Sequence, residues 1–144
     1  VIVVRHAEKE LGSIDDPPLS AAGEQRAALL GRMLGESTSV PHVDAIFVSD
    51  TRRSQRTAAP LAQRLALVPQ IYAGSDINGL INRIRAGYRG RCVLVIGHSN
   101  TVPDIVHRLA RKVSVPVMGD GEYDTVYIVT IPTLGPAAVL RLKY

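Results

Sequence analysis

The sequence contains no tryptophan, and its only other aromatic residues are five tyrosines and one phenylalanine in 144 positions. So few flat rings give little from which to build stacking platforms for single-stranded nucleic acid, and nucleic acid is not expected as a partner. The single cysteine, Cys92, excludes an internal disulfide. It lies in the apolar run Cys92-Val93-Leu94-Val95-Ile96, which predicts a buried, inert thiol. No apolar stretch approaches the roughly 20 residues of a membrane span, so no membrane partner is expected. No dense Lys/Arg tract occurs either; the net charge of +4 is spread along the chain. Such a balance suits anionic ligands and equally suits ordinary surface charge. There is no GxxxxGK[ST] loop, so ATP binding in that mode is not indicated. The chain opens on Val1, without an initiator Met and directly in a strand-like run. A leader removed upstream fits that opening, and cytoplasmic and exported locations both stay open.

What is present is an apolar fraction of 46%, enough for one core over residues 1–144, and a single domain is expected. Strand-like runs cover Val1 to Val4, Ala45 to Val48, Cys92 to Ile96, Val126 to Ile131 and Ala138 to Leu142, with a weaker one at Val68 to Tyr72. Helical stripes lie between them. Gly23, Ala27, Leu30 and Leu34 form one, with Ser20 as its N-cap. Ser54, Ala58, Leu61 and Leu65 form another, which Pro60 should kink or split. Ile77 to Ala86 is a third, and Val102, Ile105, Val106 and Leu109 a fourth, with Pro103 tolerated in its first turn. This alternation predicts a three-layer αβα sandwich with a mostly parallel central sheet. Pro132-Thr133-Leu134-Gly135-Pro136 reads as a hairpin loop, which adds an antiparallel strand at the sheet edge. In the loop Ser13 to Ser20, Asp15-Asp16-Pro17-Pro18 breaks helix and strand alike; it either flanks a site or is a plain connection.

Ligands of open α/β sheets bind beyond the carboxyl ends of the strands. Arg5 and His6 follow the first apolar run. Ser49, Asp50, Arg52 and Arg53 follow the second, and Gly97, His98 and Ser99 follow the run that begins at Cys92. Two histidines and at least two arginines thus emerge at one edge, a composition suited to a doubly charged oxyanion. Guanidinium forks onto phosphate oxygens with charge-assisted hydrogen bonds. A histidine nitrogen can act as a covalent nucleophile, and the remaining cations would stabilise the transferring phosphoryl group. The helix after His98 could also turn its first amides to the anion. No metal and no cofactor is required.

These segments resemble a known family. Arg5-His6-Ala7-Glu8-Lys9 after an apolar strand is similar to the first signature of the histidine phosphatase superfamily, also called phosphoglycerate-mutase-like. Ser49-Asp50-Thr51-Arg52-Arg53-Ser54-Gln55-Arg56-Thr57-Ala58 resembles its second motif, whose arginine stands four residues before a Thr-Ala pair, here Arg53. Gly97-His98-Ser99-Asn100-Thr101 resembles the third. The resemblance implies that His6 is the nucleophile that forms phosphohistidine. Arg5, Arg53 and His98 would complete the phosphate pocket, with Ser99 beside them on the substrate. It implies a phosphomonoester phosphatase acting on a small phosphorylated substrate or a phosphoprotein. The first motif lacks the Asn that mutases carry after the histidine, and the chain has no insertion domain, which sets it apart from the mutases. A phosphoglycerate-type mutase, a phosphohistidine protein phosphatase and a non-catalytic phosphate-binding module remain as alternatives.

The family also places an acid for the leaving group between the arginine helix and the strand leading to the second histidine. Residues 58–97 hold one carboxylate, Asp76, which ranks first, ahead of Glu8 and then Asp104. An Asp before a helix is equally a common N-cap. Glu8 and Lys9 flank the nucleophile and could shape substrate choice. Asp120-Gly121-Glu122-Tyr123-Asp124 could close one side of the pocket. Arg52, Arg56, His42, His107 and the run Arg83, Arg85, Arg89 and Arg91 read as solvated surface.

Overall fold

A computed structural model describes residues 1–12, 15–36, 42–111 and 113–144; Ser13, where the first expected loop begins, lies outside them. The apolar runs form β1 (Ile2–Arg5), β2 (Val43–Ser49), β3 (Gln70–Tyr72), β4 (Cys92–Gly97), β5 (Thr125–Thr130) and β6 (Ala138–Lys143). The helical stripes form α1 (Ala21–Gly35), α2 (Arg52–Leu65), α3 (Ile77–Gly87) and α4 (Thr101–Ala110). The strands make one sheet in the order β3-β2-β4-β1-β5-β6.

β1, β2, β3 and β4 pair in parallel, and β5 runs against both β1 and β6. The reversed strand is therefore β5, one in from the edge, because the Pro132–Pro136 hairpin turns β6 back to the direction of β1. Alternate strand residues face opposite layers. Ile2, Val4, Ile46, Leu94 and Ile96 pack with Leu30, Leu34, Ala58 and Leu61 of α1 and α2. Val3, Phe47, Val93 and Val95 pack with residues of α3 and α4 such as Leu80, Ile84, Val102 and Ile105. With both faces covered, the central strands are near-continuous apolar runs, as parallel strands must be.

The Ser20 hydroxyl accepts from the Gly23 amide at 3.2 Å and caps α1. Gly23 lies so close to the Glu8 carbonyl that a Cβ there would collide with it, so α1 starts hard against the first motif. Pro60 does not split its helix: α2 runs unbroken from Arg52 to Leu65. Its apolar face of Ala58, Leu61 and Ala62 is buried on both sides of the proline, which keeps the two halves in one helix despite the lost hydrogen bond. Gly31 of α1 lets the Pro60 ring approach closely. Cys92 is half-buried rather than buried, since it opens β4 at the rim of the sheet, and burial still pushes its thiol pKa up.

β1 and β4 are neighbours, yet the helices that follow them leave to opposite faces, α1 to one and α4 to the other. This is the switch point at which an α/β sheet opens a crevice beyond its carboxyl ends.

Candidate active site

His6 follows β1 into that crevice and is only 3% exposed. Its amide donates to the Gly97 carbonyl at 2.9 Å, which ties it to the end of β4. The next amide, of Ala7, donates to Thr57 Oγ1 at 2.9 Å, and that hydroxyl donates to the Arg53 carbonyl at 2.7 Å. One threonine therefore joins the His6 segment to the helix that carries Arg53.

The His6 ring places Nδ1 at 2.7 Å from the Ala7 carbonyl oxygen. A carbonyl can only accept, so Nδ1 carries the hydrogen and Nε2 keeps the lone pair. Burial depresses the His6 pKa to about 3, with the positive surroundings of His98, Arg53 and Arg5 acting in the same direction and the Ala7 hydrogen bond opposing them. The ring is accordingly neutral at physiological pH, with the Nε2 lone pair unprotonated. That is the state a nucleophile needs.

Three cationic or dipolar groups surround it. Arg53 Nε lies 3.2 Å from His6 Nε2. The His98 ring centroid is 5.2 Å from that of His6, edge to face. Burial, then the Arg53 charge, lowers the His98 pKa, while Asp50 works the other way. The His98 amide donates to Thr101 Oγ1 at 2.8 Å, which fixes the turn into α4. Ser99 follows on that turn, half-buried.

Arg5 is held from the far end of the chain. Its Nη1 donates to the carbonyls of Gly119 at 2.9 Å, Asp120 at 2.9 Å and Glu122 at 3.1 Å, and its guanidinium lies 4.0 Å from the centre of the Tyr123 ring. Arg5 Nε is buried with no acceptor among the described residues, a donor waiting for an anion. The loop that holds Arg5 is itself fixed by Glu122, which accepts from Thr125 Oγ1, Arg141 and Lys143. Those partners, the Thr125 hydroxyl foremost, hold the Glu122 pKa down at about 2. The segment 120–124 thus closes one side of the site, chiefly through backbone carbonyls.

The structure brings Arg5, His6, Arg53 and His98 together. The three carboxylates considered for leaving-group protonation are each engaged elsewhere. Asp76 accepts from the Gly79 amide at 2.8 Å as the N-cap of α3, the other role its position allowed. Burial would raise the Glu8 pKa, but a fork from Arg26 at 2.7 to 2.9 Å holds it below the ordinary value. Asp104 pairs with Arg108 one turn along α4, at 2.9 Å. The carboxylates that act electrostatically on His98 are instead Asp50 and Asp16. Arg52 turns only its amide to the site and its side chain is exposed, while Arg56 pairs with Glu24 at the surface. Sequence reasoning gave Thr57 no role of its own, and reached Tyr123 and Asp16 only as members of segments that could border the site. For Thr57 the signal was present in the Thr57-Ala58 pair of the second motif.

Comparison with known proteins fits this geometry. The profile described as the histidine phosphatase superfamily (branch 1) matches residues 1–74. No curated protein matches the sequence. Among solved structures, the protein histidine phosphatase SixA complexed with tungstate is similar with a TM-score of 0.81 and 20% identity, covering 99% of this chain and 95% of SixA. A mycobacterial glucosyl-3-phosphoglycerate phosphatase is similar with a TM-score of 0.70 and 15% identity, covering 100% of this chain and 97% of that one. At these identities the likeness is one of fold.

Proposed function

Because the chain belongs to the histidine phosphatase superfamily, we propose that it hydrolyses phosphomonoesters by way of a phosphohistidine on His6. The observation that carries the assignment of His6 is the Ala7 carbonyl on Nδ1, which leaves Nε2 unprotonated and accepting from Arg53 Nε at 3.2 Å. Nε2 attacks phosphorus, the P–N bond forms as the P–O bond breaks, and the leaving oxygen departs with the electron pair. Positive charge arising on the imidazole is met by the Ala7 carbonyl at Nδ1–H. Arg5, Arg53 and His98 stabilise the charge on the phosphoryl oxygens. Water then attacks the phosphohistidine, releases inorganic phosphate and restores the neutral ring. The substrate is a small phosphorylated molecule or a phosphoprotein, and Ser99, at the entrance to α4, is proposed to line it.

Protonation of the leaving group divides two substrate classes. A leaving alkoxide is a poor leaving group at neutral pH and needs a positioned acid. Asp76 is the N-cap of α3 with Oδ1 on the Gly79 amide, Glu8 is held ionised by Arg26, and Asp104 is paired with Arg108. A phosphohistidine side chain makes no such demand, because its far ring nitrogen carries the proton and the imidazole leaves neutral. This favours the phosphohistidine-protein reading as the second one. The experiment compares turnover of an alkyl phosphate, an aryl phosphate and a phosphorylated imidazole by wild type and Asp76→Asn. A strong selective loss on the alkyl ester makes Asp76 the proton donor. A small uniform loss leaves it as a cap, and an enzyme inert on all three substrates refutes the phosphatase reading.

A further inference from the structure

Asp16 reaches into the site from the loop between β1 and α1. Its carboxylate accepts from the Arg52 amide at 3.2 and 3.0 Å through its two oxygens, and from Arg53 Nη1 at 3.3 Å. It therefore sits on the first amide of α2, where the helix favours negative charge, and on the guanidinium that is to hold the phosphoryl group. The same Arg53 turns its Nε to His6 Nε2, the atom that must meet phosphorus. Its charge also reaches His98. The Asp16 side chain is 39% exposed, whereas Arg53 at 17% is more enclosed.

We propose that Asp16 is a positioning residue that acts as an internal counter-anion: it holds Arg53 across the nucleophile in the resting enzyme and opposes oxyanion binding. Two consequences follow from the chemistry. A phosphoryl dianion that approaches Nε2 must draw the Arg53 Nε away from that nitrogen. It also brings negative charge close to the Asp16 carboxylate. Like charges a few ångströms apart repel even in high dielectric. The dianion is thereby bound less tightly than the cations alone would allow, and inorganic phosphate, the product, leaves more readily. Both Asp16 oxygens accept from the Arg52 amide and one also from Arg53, so its part is electrostatic positioning and not acid catalysis.

The proposal rests on the phosphatase reading of the same pocket, and the experiment separates the two. The Asp16→Asn side chain keeps an acceptor for the Arg52 amide and removes the charge; Asp16→Ala removes both. Tungstate inhibition of aryl phosphate hydrolysis is measured for wild type and both variants, each first shown to be folded by thermal melting. Wild type inhibited by tungstate, with both variants inhibited at concentrations lower by about fivefold or more, is the expected result. KM should fall with that inhibition constant, and kcat should fall as well if phosphate release becomes limiting. Equal or weaker tungstate binding by the variants overturns the role of Asp16. Wild type that neither hydrolyses the ester nor binds tungstate overturns the phosphatase reading instead. If the Asn variant does not fold, the Ala variant and the inhibition profile of Asp16→Ser decide the question by the same criterion.

Discussion

Arg52 and Arg53 are adjacent in sequence and opposite in consequence. Arg53 is 17% exposed, places Nε at 3.2 Å from the His6 nitrogen and turns a second donor to Asp16. Arg52 offers the site only its amide, which any residue supplies, and its side chain is exposed. Arg53→Lys retains the charge but replaces a rigid fork with a mobile point charge. If the fork bridges two phosphoryl oxygens in the transition state, its loss is comparable to losing one oxyanion donor, about 2 to 4 kcal/mol. That corresponds to a fall in kcat/KM of roughly thirty- to a thousandfold. Arg52→Lys disturbs nothing but exposed side chain and should stay within about twofold of wild type. The assay is steady-state hydrolysis of an aryl phosphate, with melting temperatures to show that both variants are folded. Equal losses at the two positions, or an Arg53→Lys enzyme within threefold of wild type, would refute the reasoning about the fork.

Further predictions concern the nucleophile, the cations and the buried ring. His6→Ala should fold and lose turnover, and the acid-labile, base-stable phosphoenzyme trapped in wild type should be absent from it. Hydrolysis should survive chelators, because the arginines supply the positive charge; restoration of an EDTA-killed enzyme by zinc or magnesium would sink that view. The depressed His6 pKa also has a sign in stability. Below pH 6.5 the unfolded chain takes up a proton that the folded ring refuses until about pH 3, so stability should fall with pH over that window. The slope through this one group is at most about 1.4 kcal/mol per pH unit, and urea midpoints of His6→Ala should fall less steeply than wild type between pH 7 and 5. Asp76→Ala should lose about 1 kcal/mol in urea unfolding as the cap of α3 is removed.

The layout of strands and helices was legible because period and punctuation are local. The run Cys92 to Ile96 could only be a covered strand, and Ser20 before Gly23 could only open a helix with ease. Arg5, His6, Arg53 and His98 were legible for a topological reason: residues just past parallel strands share an edge. What could not be read was pairing between distant segments. Nothing local says that Asp16 will meet Arg53, or that carbonyls near residue 120 will hold Arg5. That α2 would stay in one piece across Pro60 was hidden for the same reason, since burial on both sides of it is a tertiary effect. Asp76 was ambiguous because the same placement serves a cap and an acid, and the Gly79 amide occupies it in this structure.

The grip on Arg5 has a consequence for how the molecule comes into being. Its acceptors lie 114, 115 and 117 residues further along the chain. Closing so long a loop is entropically costly and must await the packing of the intervening sheet. During synthesis, Arg5 lacks these acceptors until residues 119 to 122 have emerged. A nascent chain stalled before residue 119 would carry all three motifs and none of the carbonyls that hold Arg5.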